Sequence, residues 1–330
     1  MVTSLILGAS GMIGQHYTHF LKQKGHRVIG VDRYPHTYPN DLTQPDEFYI
    51  TDLTVYENME SMLTSDVDEV YHFAAEMGGA GYVFTGAHDA EILTNSLSIT
   101  LNLLRCAEAA GIKNIFYTSS ACMYPEYNQL DEQDNTTEES SAYPAQPDSE
   151  YGWEKLIAER IMLAYAKDKD FRIRIARLHN VFGPFCCWNN GREKSPAALC
   201  RKVALAESGS TIDVWGPGTQ TRSFLHIDQA IEGIYRIMNN EDFTGPFNLG
   251  SEEIISINDL ALLIADIADK DIVINNRPGP LGVVGRTSDN NFIQKSIGWK
   301  PEENLREGLA ELYKWINSQV IAENTDERPV

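Results

Sequence analysis

Residues 8–14 read Gly8-Ala-Ser-Gly11-Met-Ile-Gly14, directly after the apolar stretch 2–7 and at the start of the helix-length segment 12–24. This order predicts a strand, a tight glycine turn and a helix. In such a turn the first glycine permits the bend, the second lets the backbone approach a pyrophosphate, and the third permits close helix packing. The phosphates then lie on free N–H groups at the positive end of the helix. The stretch therefore predicts a dinucleotide-binding fold.

The amino-terminal half of the chain alternates between short apolar runs and longer amphipathic segments. Alternation of this kind builds a parallel sheet with helices on both faces. We therefore predict an α/β fold with a Rossmann-type, doubly wound parallel sheet. The predicted strands are 2–7, 27–31, 46–50, 68–73, 114–118 and 172–178, and the predicted helices between them are 12–24, 54–64, 91–110 and 151–167.

After about residue 180 the alternation loosens into loops, short strands and further helical segments. This portion is expected to form a smaller α/β cap over the carboxyl ends of the strands, where open α/β sheets bind ligands. We predict a dinucleotide-binding domain over 1–180, which also recruits 223–250, and a substrate-binding cap over 181–330. The predicted helices of the cap region are 194–206, 228–239, 256–268 and 304–320.

The composition excludes several classes of protein. A net charge of −20 over 330 residues argues against binding to nucleic acid and against docking on an anionic membrane. No apolar run approaches the ~20 residues that would span a bilayer, and residues 1–8 pass into the glycine turn without the features of a signal peptide. The five cysteines lack the spacing of metal ligands, so we expect reduced thiols, no bound metal and a cytoplasmic location.

Two polar segments are expected to lack regular structure. The acidic segment 131–141 is predicted to be a loop, and 322–330 is predicted to be a frayed end. Because the whole chain is so acidic, an anionic substrate requires a local cluster of basic side chains. Lysines and arginines inside motifs therefore carry particular weight.

The residues after the second and third strands indicate which dinucleotide binds. Asp32 stands about twenty residues after the glycine turn, where a carboxylate bonds the ribose hydroxyls and repels a 2′-phosphate. This favours NAD over NADP, although the neighbouring Arg33 leaves NADP open. Asp52 and Leu53 lie within reach of the adenine. The predicted cofactor contacts are Gly8, Gly11, Met12, Ile13, Gly14, Asp32, Asp52, Leu53, Ala74, Tyr151 and Lys155.

Tyr151 and Lys155 are one helical turn apart, so their side chains project from the same face. A phenol titrates near ~10, and lowering its pKa to about 7 needs roughly 4 kcal/mol, which a neighbouring ammonium and a positive nicotinamide supply. We expect Tyr151 to take the hydroxyl proton of a carbinol as hydride leaves the same carbon, and Ser120 to hydrogen-bond that oxygen. Taken alone, a Tyr-x-x-x-Lys sequence more often marks an exposed helix face, and the dinucleotide turn and Ser119-Ser120 favour the catalytic interpretation here.

Two further residues suggest proton transfer at carbon. Once a ring carbon is a ketone, the hydrogens on the neighbouring carbons become acidic, and inversion there needs a base on one face and an acid on the other. Cys122 is a candidate for one role, since the pKa of a thiol falls beside a cation. Lys194, in the cap region, is a candidate for the other. The alternatives are a small apolar side chain after a strand for Cys122 and a solvated helix start for Lys194.

From Ala74 onward the chain carries an ordered series of motifs. They are Ala74-Ala-Glu-Met-Gly-Gly79, Ser119-Ser-Ala-Cys-Met-Tyr-Pro-Glu126, Tyr151-Gly-x-Glu-Lys155, His179-Asn-x-x-Gly-Pro-Phe185, Gly191-Arg-Glu-Lys-x-Pro-Ala-Ala198, Gln220-Thr-Arg-Ser-Phe224, Pro278-Gly-Pro-x-Gly-Val-x-Gly-Arg286 and Ser288-Asp-Asn-Asn291. In this order they resemble the GDP-mannose 3,5-epimerases, which are extended short-chain dehydrogenases/reductases of the NAD-dependent epimerase/dehydratase family. The resemblance extends over nearly the whole chain.

The resemblance implies a role for each matching residue. It makes Tyr151, with Lys155 beside it, the acid/base for oxidation and re-reduction at C4 of the hexose. It makes Cys122 and Lys194 the acid/base pair that inverts C5 and C3. The implied overall reaction converts GDP-D-mannose to GDP-L-galactose. The implied sugar and phosphate contacts are Gly78, Ser120, Ala121, Asn180, Glu193 and Ser195, and the implied nucleotide diphosphate contacts are Lys202, Gln220, Thr221, Arg222 and Arg286.

Departures from the family pattern leave the substrate open. Glu76 stands where the family has Asp, and Cys186-Cys187 replaces a Gly-Thr-like pair. An NDP-sugar 4-epimerase, or a C3/C5 epimerase acting on another NDP-sugar, is an alternative. A 4,6-dehydratase would need an acidic pair where this chain has Ala121 and Cys122. A non-catalytic NAD sensor would need neither a complete Tyr-Lys pair nor Lys194.

The helix before the Tyr-Lys helix suggests how the chain assembles. Extended short-chain dehydrogenases commonly dimerise by pairing these two helices, here 91–110 and 151–167. Leucines recur in the first of them at near-helical spacing. We therefore expect a homodimer with an isologous four-helix contact, the alternative being that the leucines face only their own sheet. These leucines are Leu93, Leu97, Leu101 and Leu104.

Overall fold

The computed structural model describes residues 1–36, 38, 41–132, 136–242, 244–302 and 304–324. The strands are β1 (Thr3–Leu7), β2 (Arg27–Asp32), β3 (Glu47–Ile50), β4 (Glu69–His72), β5 (Asn114–Ser120), β6 (Thr136–Thr137), β7 (Arg172–Leu178), β8 (Val181–Phe182), β9 (Ser210–Trp215), β10 (Thr221–Ser223), β11 (Leu225–His226), β12 (Phe247–Leu249), β13 (Ile254–Ser256), β14 (Ile272–Arg277) and β15 (Gly285–Ser288). The helices are α1 (Met12–Gln23), α2 (Tyr56–Met62), α3 (Ala80–Val83), α4 (Asp89–Ala110), α5 (Glu150–Asp168), α6 (Ser195–Leu205), α7 (Ile227–Met238), α8 (Ile257–Ile267), α9 (Asn291–Ile297) and α10 (Leu305–Asn324).

The largest sheet has the strand order β12-β7-β5-β4-β1-β2-β3, and all of its neighbouring strands are parallel. Successive strands run outward from β1 on one side and from β4 on the other, so the order reverses between these two strands. Ligands of open α/β sheets bind outside the carboxyl ends of the strands at such a switch point. The predicted fold class and the predicted strands of this sheet are confirmed.

Alternate side chains of β1 enter two different apolar cores. Leu5 and Leu7 pack in the core beneath α4 and α5, whereas Ile6 packs in the core beneath α1 and α7. Both faces of this strand are covered, so residues 3–7 are all buried, including the polar Thr3 and Ser4. Both cores extend across the sheet to β5, through Ile115 on one face and Phe116 on the other.

A third apolar core lies in the carboxyl-terminal region, between α6, α8 and α10. It is covered by the two-stranded pair β9 and β14, which the sequence analysis did not predict. The four predicted helices of this region are present. The segment 223–250 supplies the edge strand β12 of the large sheet and the helix α7, which packs on one face of that sheet. The boundary between the two domains stays a prediction.

The acidic segment 131–141 is more ordered than predicted. Residues 136–137 form β6, which pairs with β15, and Glu139–Ala142 form one turn of 3₁₀ helix. Residues 133–135 lie outside the described residues. At the other predicted irregular segment, α10 continues to Asn324, and 325–330 lie outside the described residues.

None of the described helices combines the length and the apolar character that a bilayer span needs.

A buried ion pair joins α5 to β7 beneath the carboxyl edge of the sheet. Arg177 donates to Glu159 through Nη2 (2.6 Å) and Nε (3.1 Å), and both side chains are almost completely inaccessible. Arg177 also donates to the Tyr124 hydroxyl at 2.9 Å. The fork-shaped guanidinium therefore fixes the helix that carries Tyr151 relative to the strand next to β5.

Glu159→Gln should destabilise the protein strongly, because it leaves Arg177 as a buried charge without a counter-charge. The expected loss is about 3–5 kcal/mol in the free energy of unfolding, measured by denaturant titration. Glu232→Gln, which removes the partner of Arg236 in an exposed pair one helical turn apart, is the matched control and should change little. Equal stability of the two variants would show that the buried pair does not fix α5.

Candidate active site

The glycine turn between β1 and α1 is built for close backbone approach. Gly8 has φ +86°, and a Cβ at this position would lie 2.7 Å from the Ala74 nitrogen. A Cβ at Gly14 would lie 2.2 Å from the Gly8 carbonyl oxygen, whereas one at Gly11 would meet only an ordinary contact at 3.4 Å. The first and third glycines are therefore required by packing, and the second leaves open space. This arrangement fits a pyrophosphate at the amino terminus of α1.

Asp32 ends β2 beside this turn, with its carboxylate already oriented. The Ser10 N–H donates to Oδ2 at 3.0 Å and the Tyr34 N–H donates to Oδ1 at 3.1 Å. Burial raises the pKa of Asp32, although these backbone bonds oppose the rise. A carboxylate held in this way is suited to accept hydrogen bonds from ribose hydroxyls.

Arg33, the residue that kept NADP as an alternative cofactor in the sequence, is paired with two carboxylates. Its Nη1 donates to Glu76 Oε2 at 3.2 Å and its Nη2 donates to Asp52 Oδ2 at 3.3 Å. The guanidinium is therefore already paired on both sides, which disfavours its use for a 2′-phosphate. The glycine cradle and the Asp32 carboxylate together fit NAD.

A cavity of about 570 Å³ lies between the carboxyl edge of the large sheet and the carboxyl-terminal region. It brings together most of the residues predicted to bind or transform substrate. Those that line it are Ile13, Gly78, Ser120, Ala121, Cys122, Tyr151, Lys155, Asn180, Glu193, Lys194, Ser195, Lys202, Gln220, Arg222 and Arg286. The predicted residues outside the lining are Gly8, Gly11, Met12, Gly14, Asp32, Asp52, Leu53, Ala74 and Thr221.

Thr221 is the predicted substrate contact that the cavity does not include. Its hydroxyl donates to the Glu132 carbonyl at 2.6 Å, away from the lining. The other eight residues outside the lining were predicted as cofactor contacts. They belong to the glycine turn, to Ala74 against it, or to the ends of β2 and β3, where a dinucleotide would extend along the sheet.

Tyr151 enters the cavity from the first turn of α5. Ser149 caps this helix by accepting from the Gly152 N–H at 3.3 Å. Burial raises the pKa of the Tyr151 phenol, the charges of Cys122 and Glu154 add to the rise, and a hydrogen bond from Ser120 opposes it. Ser120 is thus next to the phenol, as predicted for two groups that share one substrate oxygen.

Lys155 is buried below Tyr151 and points towards the sheet. Its ammonium donates to the Thr118 carbonyl at 3.2 Å and lies 3.6 Å from Glu154 Oε2 and 5.7 Å from the centroid of the Tyr151 ring. Glu154 is a partner that the sequence analysis missed. Burial raises the pKa of Glu154, and the nearby Lys155 ammonium opposes this rise. The two charges therefore offset each other inside the protein.

Cys122 and Lys194 line the same cavity and come from different parts of the fold. Cys122 lies in the turn after β5, where its N–H donates to the Ser120 hydroxyl at 3.2 Å. Lys194 directly precedes α6 and therefore belongs to the carboxyl-terminal region. Burial lowers the pKa of Lys194, against the attraction of Cys122 and Cys186. An amine with a lowered pKa gives up a proton more readily than an exposed lysine.

The loop that carries Lys194 is bound to the sheet through Glu76. Glu76 Oε1 accepts from Arg192 Nη1 at 2.7 Å and from the Tyr82 hydroxyl at 2.9 Å. Burial favours the neutral acid, but these hydrogen bonds hold the pKa of Glu76 below its ordinary value. A Cβ at Gly79 would lie 2.1 Å from the Glu193 carbonyl oxygen, so the two loops touch through their backbones. The sequence analysis gave Arg192 no role.

The cysteine pair of the same loop is not arranged for chemistry. Cys186 packs in the third apolar core, and burial raises its pKa to about 12. Cys187 is exposed and donates to Asn190 Oδ1 within the loop. Neither thiol lines the cavity.

Two basic residues and one aromatic ring of the carboxyl-terminal region also line the cavity. Lys202 donates to the Asp213 carbonyl at 2.6 Å, and its ammonium lies 5.9 Å from the centroid of the Trp215 ring. The guanidinium of Arg222 donates to the Val283 carbonyl at 2.7 Å, and burial lowers its pKa to about 10. Trp215 was also missed by the sequence analysis, since β9 was not predicted.

Arg286 lies against Cys122, a contact that the resemblance did not imply. It is almost completely buried, and its Nη1 donates to the Cys122 thiol at 3.1 Å. Its Nε donates to Gln129 Oε1, and its Nη2 lies 3.7 Å from Asp148 Oδ2. Arg286 was predicted to bind the diphosphate. In the structure it is instead the basic group that directly contacts Cys122, the predicted acid/base thiol.

Gly14→Ala should destabilise the protein, because the new methyl group would overlap the Gly8 carbonyl. The expected loss is about 1–3 kcal/mol in the free energy of unfolding, as for other overpacked sites. Gly11 has extended backbone (φ −71°, ψ 160°) and free space, so Gly11→Ala should fold normally. Denaturant titration of both variants measures the difference, and equal stability would contradict this description of the turn.

The sequence matches the NAD dependent epimerase/dehydratase family over residues 4–250. It is 42% identical to a GDP-mannose 3,5-epimerase of Arabidopsis thaliana, over 96% of this chain and 83% of that protein. The structure is similar to that of a UDP-glucose 4-epimerase of Thermotoga maritima determined with UDP-glucose, with a TM-score of 0.84 and 22% identity over 97% of this chain and 100% of that one.

A second similar structure is a UDP-glucose 4-epimerase of Thermus thermophilus in complex with NAD. Its TM-score is 0.80, with 19% identity over 96% of this chain and 99% of that one. At such identities the two structures establish a shared fold, whereas the match to the plant protein extends to the sequence of nearly the whole chain.

Proposed function

Because the chain belongs to the NAD dependent epimerase/dehydratase family, we propose that it is a GDP-mannose 3,5-epimerase that converts GDP-D-mannose to GDP-L-galactose. Membership confirms the predicted family, the NAD cofactor and the class of enzyme. One observation supports the finer assignment above all others. Cys122 and Lys194 line the same cavity as Tyr151, and a simple 4-epimerase has no use for a thiol and a lysine there.

The first step is oxidation of the hexose at C4. NAD, held by the glycine turn and Asp32, would supply the hydride acceptor for oxidation and the hydride donor for re-reduction. Tyr151 takes the hydroxyl proton, and the neighbouring Ser120 hydroxyl orients the same oxygen. Because burial disfavours the phenolate, this proton transfer depends on nearby positive charge, to which the buried Lys155 contributes. Tyr151 returns the proton when the ketone is reduced.

The second step is proton exchange at C5 and C3, which are acidic only while C4 is a ketone. Both candidate groups line the cavity, Cys122 from the turn after β5 and Lys194 from the residue directly before α6. A sugar ring between them would present one face to the thiol and the other to the amine. Removal of a proton by one group and delivery by the other inverts the carbon.

The part of the cavity that is lined by Lys202, Arg222 and Trp215 is suited to a nucleoside diphosphate. Lys202 and Arg222 supply cations in a chain whose net charge is −20, and charge-assisted hydrogen bonds to phosphate are stronger than neutral ones. Trp215, which is about half exposed and lines the cavity beside Lys202, offers a flat apolar surface for a base.

All five cysteines are free thiols, in keeping with a cytoplasmic location.

The deuterium content of sugar recovered from heavy water separates the two steps. Cys122→Ala should abolish most deuterium incorporation at C5 and C3 yet leave transient reduction of bound NAD detectable, because Tyr151 is intact. Tyr151→Phe should abolish both, since no ketone forms. General acid–base groups contribute about 10²–10⁴-fold, so the losses should be large.

Lys194→Met should behave like the cysteine variant. Cys187→Ala is the matched control, because it removes an exposed thiol outside the cavity and should retain normal incorporation. Near-normal labelling by Cys122→Ala would show that the thiol only packs, and the 4-epimerase alternative would then be preferred.

We also propose that the protein is a homodimer that pairs α4 and α5 with the same helices of a second copy. On the outer face of α5, Trp153, Ile157 and Ile161 line a shallow apolar groove, and such a surface suits an isologous contact. The leucines of α4 contribute less than expected. Leu104 is completely buried in the core of its own sheet, and Leu97 packs partly against that core.

Ile157→Arg should convert the dimer to a monomer, because Ile157 is 39% exposed in the groove and a charge there would be buried on association. Light scattering at micromolar concentration measures the mass. Leu262→Arg, at an exposed apolar residue on α8, is the control and should leave the dimer intact. A monomeric mass for the unaltered protein would end the proposal.

A further inference from the structure

Asp148 is a buried carboxylate in the cavity to which neither the sequence analysis nor the proposed reaction assigns a role. It lies three residues before Tyr151, and its side chain is only 4% exposed. Its Oδ1 accepts from the Ser149 hydroxyl at 3.2 Å. Its Oδ2 has no hydrogen-bond partner within the described residues, and it faces Arg286 at 3.7 Å. A buried carboxylate with one unsatisfied oxygen is costly, which indicates a functional reason for its position.

Arg286 connects this carboxylate to Cys122. Its Nη1 donates to the thiol, while Nη2 faces the carboxylate, and Gln129 holds Nε. Burial disfavours the guanidinium charge, but Cys122 and Asp148 raise the pKa of Arg286 above its ordinary value. The arginine therefore stays a cation between two groups that both attract it.

The charges around Cys122 are mostly positive. A lone cation at hydrogen-bond distance in a buried site favours the thiolate strongly. A thiol that must both take and return a proton performs best when neither form dominates. A carboxylate on the far side of the cation offsets part of this attraction. The groups that face Cys122 from the surrounding elements are Arg286, Arg222, Lys194 and the neutral phenol of Tyr151.

We propose that Asp148 is a positioning residue, which orients Arg286 against Cys122 and offsets its charge so that the thiol exchanges a proton in both directions. The proposal rests on the proposed role of Cys122 as an acid/base group. It assigns Asp148 no contact with the reacting carbon. Its effect passes through Arg286 and is visible in the ionisation of the thiol without turnover.

The test is the pH dependence of iodoacetamide alkylation at Cys122, followed by peptide mass spectrometry on the NAD-containing protein. Asp148→Asn is nearly isosteric and removes a negative charge, so the thiolate should form at lower pH, by about one pH unit. Arg286→Met removes a positive charge, so the midpoint should move by a similar amount to higher pH. Opposite shifts at one thiol are not produced by loosening of the structure, which would increase alkylation in both variants.

Three controls make the shifts specific. Cys187 is exposed and lies outside the cavity, so its alkylation profile should be the same in every variant. Glu126→Gln removes one negative charge from an exposed residue on the same segment as Cys122 and should leave the Cys122 profile unchanged. Asp148→Glu keeps the charge and should retain the profile of the unaltered protein.

An unchanged Cys122 midpoint in Asp148→Asn would overturn the proposal. If the same variant raised KM without moving the midpoint, Asp148 would be assigned to sugar binding instead, which also contradicts the proposal. Neither result bears on whether Cys122 exchanges protons with the sugar, because that question is decided by deuterium incorporation in Cys122→Ala.

Discussion

The site depends on the close contact between α5 and the turn that follows β5. A Cβ at Gly152 would lie 2.2 Å from the Cys122 carbonyl oxygen, so only glycine lets the helix approach this far. The approach places Tyr151, one residue before Gly152, in the same cavity as Cys122. In the reaction that we propose, oxidation at one carbon and proton exchange at its neighbours would therefore take place at one substrate position. The buried Arg177–Glu159 pair holds the same helix from below.

The proposed inversion also requires a second acid/base group, and the candidate for it comes from the carboxyl-terminal region. Lys194 directly precedes α6, and the loop before it is attached to the sheet by Arg192 and Glu76. Glu76 was noted in the sequence as longer than the aspartate usual in the family. In the structure its carboxylate contacts both Arg192 and Arg33, so it links the loop that carries Lys194 to the residue beside the predicted ribose site.

The sequence predicted the fold where local pattern and burial agree. Residues 3–7 are buried because both faces of β1 are covered, and Gly8 and Gly14 after them are required by contacts of less than 3 Å. It did not predict β9 and β14, which among the described strands form a two-stranded pair outside the large sheet. No role for Asp148 or Glu154 was predicted, because the partners of a buried carboxylate are known only once the side chains are placed in three dimensions. Arg286 was recognised as important, but its contact with Cys122 joins residues 164 positions apart and depends on tertiary structure.

The central claim is that a hydride leaves C4 of a nucleotide sugar and returns to the same carbon within one binding event. The direct measurement uses GDP-mannose deuterated at C4, incubated with the protein in ordinary water, with the position of the label determined in every product by NMR. The proposed reaction predicts that the epimerised sugars keep deuterium at C4, because NAD held by the glycine turn and Asp32 would return the same hydride that it accepted. Epimerised product that has lost the C4 label to solvent, or inversion at C3 and C5 in protein stripped of NAD, would contradict it.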